Sequence, residues 1–386
     1  MRRPYDVSCS QTSNPAIRIG VPRFGNNSNG SSVVTADVDG EPIWFSSQDI
    51  RLSARAEAFA SALLVPAAAK GCDLFIEGAV DPVWLENSDR AQDQLNVWWQ
   101  FPGARIVARE EARPLLARPT LSAQCFTGGV DSYYELITSS PSPDLLVFVH
   151  GYDIQRHDTQ RLEAFLPGFY ETAKAFGAKP VVITTNLREH PRIRESSWEK
   201  SHGGALAAVG HLLTGEIATL TLPASYPYHD PKPWGSHWDL DPLWSSTGVE
   251  IRHGDATHRR NGKVKAIATN DLALRYVRVC HENNAPTGNC SHCEKCVRTM
   301  IAFANAGMLD RCEAFDQRVP LATRVDRLPV IGPHLISIMK ELRRDITDQE
   351  LAAAVDRLIA RSSARRSGYR KKLAKWHRRV REAMAC

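Results

Sequence analysis

Between residues 120 and 280 the chain alternates short apolar runs with segments of helical periodicity, and this pattern constrains the fold more than any other feature. The runs are "LSAQCF", "DLLVFVHG", "KPVVITTNL" and "IATLTLPAS". A strand that is apolar along its length needs cover on both faces, as in a parallel sheet between two layers of helices. We therefore predict a doubly wound α/β domain over residues 120–280, with one of its helices interrupted by Pro167.

Ligands of such sheets bind beyond the carboxyl ends of the strands. Four segments follow predicted strands and are expected to share that edge of the sheet. They are residues 127–132, 150–153, 185–186 and 223–225.

A chain of 386 residues is expected to form about two or three domains. Residues 1–115 are predicted to form an α+β domain of unknown role, with a hairpin turn at Asp39-Gly40. Residues 280–335 are expected to form helices around a cysteine cluster, and residues 336–386 a basic helical tail.

The composition is that of an ordinary globular protein, with 43% hydrophobic and 24% charged residues and a net charge of +5. No run approaches the ~20 apolar residues of a membrane span. The first residues are basic but lack the apolar segment of a secretory signal. A cytoplasmic protein without a membrane partner is therefore expected.

The segment "TGGVDS", which begins at Thr127, lies between a predicted strand and a predicted helix and suits an anion. Gly128 and Gly129 let the backbone turn sharply and approach a ligand, and the helix start offers free N–H groups. Asp131 would repel a phosphate unless a cation lies between them, which points to Mg²⁺. Thr127 and Ser132 add hydroxyl groups. The alternative is a plain glycine turn with Asp131 as a helix cap.

Four of the nine cysteines lie within seventeen positions, and they are Cys280, Cys290, Cys293 and Cys296. Thiolates at this spacing suit tetrahedral zinc, and an iron–sulfur cluster is the alternative because CxxCxxC also binds [4Fe–4S]. Four thiolates leave no open position on zinc, so the site is expected to be structural.

The glycine segment resembles the SGGxDS loop of the N-type ATP pyrophosphatases, the PP-loop family, with Thr127 in place of the first serine. These enzymes cleave ATP between the α- and β-phosphates, adenylate a substrate and release pyrophosphate. A PP-loop followed by C-x9-C-x2-C-x2-C and an arginine two residues later is similar to the 7-cyano-7-deazaguanine (preQ0) synthases. The resemblance covers roughly residues 122–305, and the whole chain is more similar to longer, uncharacterised bacterial relatives of these synthases.

The resemblance implies an adenine nucleotide α-hydrolase-like (HUP) fold with ATP and Mg²⁺ on the glycine loop and zinc on the four cysteines. Catalytic roles are expected for Asp131, Ser132 and Lys263. The expected ATP-binding residues are Thr127, Gly128, Gly129, Val130, Asp131, Ser132 and Asp153.

In preQ0 synthases an ATP-activated carboxylate reacts with ammonia and passes through an amide to a nitrile. We therefore predict an AMP-forming synthase or ligase that adenylates a carboxylate or carbonyl oxygen of a small-molecule acceptor. Ammonia or another nucleophile then displaces AMP.

Two alternatives remain open from the sequence. One is sulfur transfer to a nucleobase or tRNA, for which Cys125 beside the loop is the candidate nucleophile. On a buried strand Cys125 is instead a small core residue. The other alternative is a nucleotide-binding module without turnover.

The segment "PWGSHWDLDPLW" is rich in Trp, His and Asp, and it is expected to be either a substrate pocket or an aromatic packing plug. The candidate substrate-binding residues are Trp234, His237, Asp239 and Asp241. The preQ0 synthases have a different "YPDCR" segment near this position, so the acceptor stays undefined.

Lys263 matches a family lysine near the phosphates, and it is expected either to meet the pyrophosphate or to lie on a solvated face with Arg259, Arg260 and Lys265. His202 is expected to start a helix and to serve either as a base or, the favoured interpretation, as a cap or packing residue. The basic residues after position 360 permit tRNA binding, although a solvated amphipathic helix is the favoured interpretation of that tail.

Overall fold

The computed structural model of the chain describes residues 15–111, 119–283 and 285–364. Residues 365–386 of the predicted basic tail, with Cys386, lie outside these residues, and so do the first fourteen positions, with Cys9.

The described residues form one sheet of eleven strands. The strands are β1 Ala16–Ile19, β2 Arg23–Asn26, β3 Ser32–Val38, β4 Glu41–Ser47, β5 Asp73–Val80, β6 Ile106–Glu110, β7 Ser122–Cys125, β8 Leu145–His150, β9 Lys179–Thr185, β10 Thr219–Leu222 and β11 Glu250–His253.

The helices lie between and after these strands. They are α1 Ala56–Lys70, α2 Pro82–Trp99, α3 Val130–Thr138, α4 Thr159–Ala175, α5 Pro191–Arg194, α6 Trp198–Leu212, α7 Arg260–Ile267, α8 Asp271–Tyr276, α9 Glu294–Asn305, α10 Leu321–Arg327, α11 Pro333–Arg343 and α12, residues 349–364. Short 3₁₀ turns cover Leu187–Glu189, Asp241–Trp244 and Leu309–Arg311.

The strand order is β11-β10-β7-β8-β9-β4-β3-β1-β5-β6, with β2 paired to β3. Neighbouring strands from β11 to β9 are all parallel, whereas β9–β4, β4–β3 and β3–β1 are antiparallel. The sheet is therefore mostly parallel with flanking helices, which is compatible with the predicted doubly wound α/β class.

Strand β8 shows why its run is apolar at every position. Leu145, Val147 and Val149 belong to a core on one face, shared with α1 and α6. Leu146 and Phe148 belong to a second core on the other face, shared with α3, α4 and the C-terminal helices. Burial of both faces removes the polar positions that a half-exposed strand would have.

The N-terminal elements follow their local signals. Asp39 and Gly40 both have positive φ, 54° and 89°, and they join β3 to β4 as the predicted hairpin. Gly71 ends α1 in the left-handed conformation. Strand β4 pairs with β9 through Phe45 and Ser46, so residues 16–110 and residues 122–253 contribute to the same sheet.

Two details differ from expectation. Helix α4 continues through Pro167, where Phe165 and Phe169 on either side stack on each other with ring centroids 5.7 Å apart. This packing offsets the lost backbone hydrogen bond. Helix α6 begins at Trp198, so His202 lies in its second turn and does not start it. No helix among the described residues is long and apolar enough to cross a membrane.

Candidate functional site

The glycine loop joins the end of β7 to the start of α3, as predicted. Gly128 has φ = 70°, and a side-chain Cβ there would lie 3.0 Å from the ring of Phe165. Both facts require glycine at this position. The Arg278 backbone N–H donates to the Gly128 carbonyl at 2.7 Å, which ties the loop to the segment that leads into the cysteine cluster.

The loop lies where the strand order reverses. From β7 the chain proceeds to β8 and β9 on one side and later returns to β10 and β11 on the other. The carboxyl ends of β7 and β10 therefore flank a crevice of the type in which open α/β sheets bind ligands.

A cavity of about 360 Å³ fills this crevice. It receives residues from the loop, from the ends of β8, β9 and β10, and from both sides of the cysteine cluster. Its lining includes Thr127, Gly129, Val130, Asp131, Ser132, Asp153, Arg188, Pro223, Ser225, Arg260, Arg278, Cys280 and Lys295. Of the seven predicted ATP-binding residues, Gly128 is the exception, because it lines an adjacent cavity with Phe165.

Four cationic side chains line the cavity: Arg188, Arg260, Arg278 and Lys295. The Nε atoms of Arg260 and Arg278 are buried without a hydrogen-bond partner among the described residues. Burial lowers the pKa of Arg278, and burial followed by the charge of Arg260 lowers the pKa of Lys295. Crowded, desolvated cations of this kind are stabilised by a bound anion.

Two carboxylates lie among these cations. Asp131 Oδ1 is 3.4 Å from Lys263 Nζ and its Oδ2 is 3.6 Å from Arg260 Nη1. Asp153 Oδ2 is 3.7 Å from Arg278 Nη2. These long contacts leave both acids available to the cavity, with 26% and 48% of their side-chain surfaces exposed.

Lys263 lies behind the loop and is not among the residues that line the cavity. Only 1% of its side chain is exposed, and its ammonium group donates to the Ala224 carbonyl as well as facing Asp131. Lys263 therefore orients the Asp131 carboxylate without lining the cavity itself. A direct contact between Lys263 and the phosphates stays a prediction.

The two loop hydroxyls differ in their surroundings. Ser132 Oγ donates to the Gly129 carbonyl at 3.1 Å and lies 3.4 Å from the Thr127 backbone nitrogen. It therefore braces the loop from inside. Thr127 and Ser132 both line the cavity, but in the described part of the chain only the Ser132 hydroxyl is bonded within the loop.

A second cavity of about 300 Å³ adjoins the first. Asp131, Ser225, Arg260 and Lys295 line both cavities. The far walls of the second cavity come from residues 226–234, which lead into the aromatic segment, from the start of α7, from α9 and from α11. They include Tyr226, Asp230, Trp234, Arg298, His334 and Glu341.

The two ends of the aromatic segment differ in whether they line a cavity. Trp234 lines the second cavity, and its ring lies 5.4 Å from the Tyr226 ring in an edge-on contact. His237, Asp239 and Asp241 are not among the residues that line either cavity. His237 stacks on Trp238 at 3.7 Å, and the Asp239 side chain is 54% exposed.

Asp241 is fully buried in a hydrogen-bond network. Its carboxylate accepts from Ser236 Oγ at 2.7 Å and from the His237 backbone N–H at 3.2 Å, and it lies 2.6 Å from His253 Nδ1. These contacts occupy the acceptor atoms with which it was expected to bind a substrate. This part of the aromatic segment therefore acts as a packing plug, because Asp241 is buried and bonded within the protein.

The four clustered cysteines meet as predicted. All four Sγ atoms lie within 4.8 Å of one another, and the pairs Cys280–Cys293 and Cys290–Cys296 are both 3.9 Å apart. A tetrahedral zinc site with Zn–S bonds of about 2.3 Å places sulfurs about 3.8 Å apart. Hydrogen bonds from Cys296 lower the pKa of Cys293 to about 5, whereas burial raises the pKa of Cys290 to about 11 and the hydrogen bond to Cys293 raises the pKa of Cys296. Cys293 is therefore the first thiolate that the cluster offers to a metal, which binds the deprotonated form. The cluster can hold a metal such as zinc.

The remaining described cysteines are free thiols. Cys125 lines the first cavity from the end of β7, and burial followed by the charge of Asp241 raises its pKa to about 12. Cys72 and Cys312 are buried. His202 bonds through Nδ1 to the Trp198 carbonyl at 3.1 Å, and burial lowers its pKa.

Sequence reasoning missed Arg188 and Arg278 as cavity residues. Arg188 follows β9 by three positions, so the rule of strand carboxyl ends could have found it. Arg278 carried no local signal, because only the return of the chain toward the cysteine cluster brings it to the loop.

Comparisons of the chain with protein-family models, with curated proteins and with solved structures gave no match. Function is therefore inferred from the residues of the cavities.

Proposed function

We propose that this protein is an ATP-dependent, AMP-forming synthase or ligase that adenylates an oxygen of a small-molecule acceptor. One observation carries the proposal: the cavity at the switch point combines the glycine loop with the cations of Arg188, Arg260, Arg278 and Lys295, and within the described part of the chain the Nε donors of Arg260 and Arg278 have no hydrogen-bond partner. A polyphosphate fits this arrangement, because it needs several donors and positive charges within one crevice. The likeness of the loop to the PP-loop supports ATP among polyphosphates.

Asp131 and Asp153 supply the carboxylate oxygens that Mg²⁺ prefers. Both line the cavity with only long contacts to cations. These two residues would hold the ion, which would supply positive charge to neutralise the leaving pyrophosphate.

The chain's own residues would act mainly by positioning and charge neutralisation. The first backbone N–H groups of α3 and the arginines hold the phosphates. An acceptor oxygen then forms a bond to the α-phosphorus while the bond from that phosphorus to the pyrophosphate oxygen breaks. Ammonia or another nucleophile subsequently displaces AMP from the activated acceptor.

The second cavity suits the acceptor. It adjoins the first through Asp131, Ser225, Arg260 and Lys295, so an acceptor there would face the α-phosphate. Tyr226 and Trp234 offer ring surface, and Arg298 adds a cation.

At the cysteine cluster we favour zinc over an iron–sulfur cluster. A [4Fe–4S] cube binds each thiolate to a different iron and so spaces the sulfurs more widely than one ion does. The 3.9 Å pairs fit a single ion.

Sulfur transfer is the second candidate, because Cys125 lines the first cavity. Its raised pKa of about 12 leaves almost no thiolate at neutral pH, and the thiolate is the nucleophile. This counts against thiolation as the main reaction.

The test is pyrophosphate release from Mg²⁺-ATP, measured across a panel of carboxylic acids with and without ammonia. We expect release that depends on one acceptor class. The matched control is Asp239→Asn, an exposed change outside both cavities, which should release pyrophosphate at the wild-type rate. Binding of ATP without release under any condition would favour a nucleotide-binding module, and absence of ATP binding would overturn the proposal.

A further inference from the structure

Lys295 occupies an unusual place in the molecule. It lies between two of the clustered cysteines, Cys293 and Cys296, in the first turn of α9. Its side chain lines both cavities. The cysteine cluster therefore places a cation between the first cavity, proposed to bind the nucleotide, and the second cavity, proposed to bind the acceptor.

Of the residues that the structure describes beside Lys295, the charged groups of Asp131, Arg260 and Arg298 each lie within 3.6 Å of an opposite charge. Asp131 faces Lys263 and Arg260, and Arg298 lies 2.9 Å from Glu294. Among the described residues, no hydrogen bond or ion pair holds the Lys295 ammonium group. Its backbone is fixed, since its carbonyl accepts from Thr299 Oγ1 at 2.8 Å.

We infer that Lys295 is a catalytic residue whose ammonium group contacts an α-phosphate oxygen of ATP and the attacking acceptor oxygen together. The inference rests on the proposed function. Adenylation brings two anionic groups together, and a cation between them reduces their repulsion most at the moment of bond formation. The P–O bond to the acceptor forms as the P–O bond to pyrophosphate breaks, and Lys295 keeps its protons throughout.

The cysteine cluster positions this lysine. Cys293 Sγ accepts from the Cys296 backbone N–H at 3.5 Å, and Cys280, whose Sγ lies 3.9 Å from that of Cys293, also lines the first cavity. A metal on the four thiolates would join the segment before the cluster to the start of α9. The distance between Arg278 and Lys295 across the nucleotide cavity would then be fixed.

The experiment compares Lys295→Met with Lys265→Met. Lys265 is a half-exposed lysine that pairs with Asp345 at 2.8 Å on the surface. Binding of adenosine, AMP and α,β-methylene-ATP with Mg²⁺ is measured by calorimetry. We expect Lys295→Met to weaken AMP and α,β-methylene-ATP by about tenfold, as for a lost charge-assisted hydrogen bond. Adenosine binding and the metal content should equal those of wild type, and Lys265→Met should change nothing.

The outcomes separate this inference from the proposed function. If wild type binds neither adenosine nor the two nucleotides, the proposed function fails, and the role assigned to Lys295 fails with it. If wild type binds them and Lys295→Met binds AMP within about twofold of wild type, only the assignment of Lys295 is overturned. A loss confined to α,β-methylene-ATP also overturns it, because the lysine would then face the outer phosphates.

A second variant covers the case in which Lys295→Met loses its metal. Lys295→Arg keeps the positive charge beside the cysteines. Retention of metal and of AMP binding within about threefold of wild type would support the charge-based role. A tenfold loss of AMP binding with the metal retained would contradict it.

Discussion

Asp131 and Asp241 carry the same side chain, but the carboxylate of Asp131 faces a cavity and that of Asp241 is enclosed in the core. Asp131, in the glycine loop, is partly exposed and makes only long contacts to cations. Asp241, in the aromatic segment, is fully buried and has three close hydrogen-bonding neighbours. An acid that retains free acceptor atoms in a cationic cavity is available to a ligand, whereas one whose acceptors are occupied stabilises the fold.

The largest effect is expected from Asp241→Asn. The amide group would place a donor against the Ser236 hydroxyl or His253 Nδ1, and the buried network would lose its charge. We expect the free energy of unfolding to fall by about 3 kcal/mol, measured by urea denaturation. Asp239→Asn is the matched control, with an expected change within about 0.5 kcal/mol. Equal stability of the two variants would remove the distinction drawn for Asp241.

Asp131→Asn should show the reverse behaviour. We expect Mg²⁺-dependent affinity for α,β-methylene-ATP to fall by about tenfold or more, because the ion loses a carboxylate ligand. Unfolding free energy should change by less than about 1 kcal/mol, since the contacts of Asp131 are long. Calorimetry with Mg²⁺ and with EDTA tests this. A loss of stability without a loss of affinity would place Asp131 in the same class as Asp241.

Acid should destabilise the fold through His211, which bonds to the aromatic segment. His211 donates through Nε2 to the Trp244 carbonyl at 2.9 Å, and burial lowers its pKa to about 4. The unfolded chain protonates His211 near pH 6.5, so below that pH it binds more protons than the folded chain and stability falls with falling pH.

His211→Gln keeps a donor for Trp244 but does not titrate. Between pH 6.5 and 5.5 wild type should lose about 1 kcal/mol more unfolding free energy than the variant, as measured by urea denaturation at each pH. Parallel losses in the two proteins would show that other groups cause the acid sensitivity.

Cys125→Ser should have the smallest effect. With a pKa of about 12 the thiol stays protonated at neutral pH, and we expect nucleotide affinity and pyrophosphate release within about threefold of wild type. Abolished turnover with intact binding would instead favour sulfur transfer. Alkylation of Cys125 should likewise be slow at pH 7 when followed by mass spectrometry.

Local signals predicted the glycine loop and the cysteine cluster well. Gly128 adopts the positive φ that a sharp strand-to-helix turn needs, and closely spaced cysteines have little freedom to separate. The structure of the aromatic segment was harder to predict, because its composition permits both a substrate pocket and a packing plug. Trp234 and Asp241 are only seven positions apart, yet burial of Asp241 by elements distant in sequence separates their roles.

The sequence by itself determined where strands and helices alternate, where the chain turns sharply after β7, and which thiols converge, because each depends on neighbours a few positions apart. Only the tertiary structure decided that β4 joins β9, that Arg188, Arg278 and Lys295 surround one crevice, and that Asp241 is enclosed. Those features depend on contacts between segments far apart in the chain, where pairing geometry and burial decide the outcome.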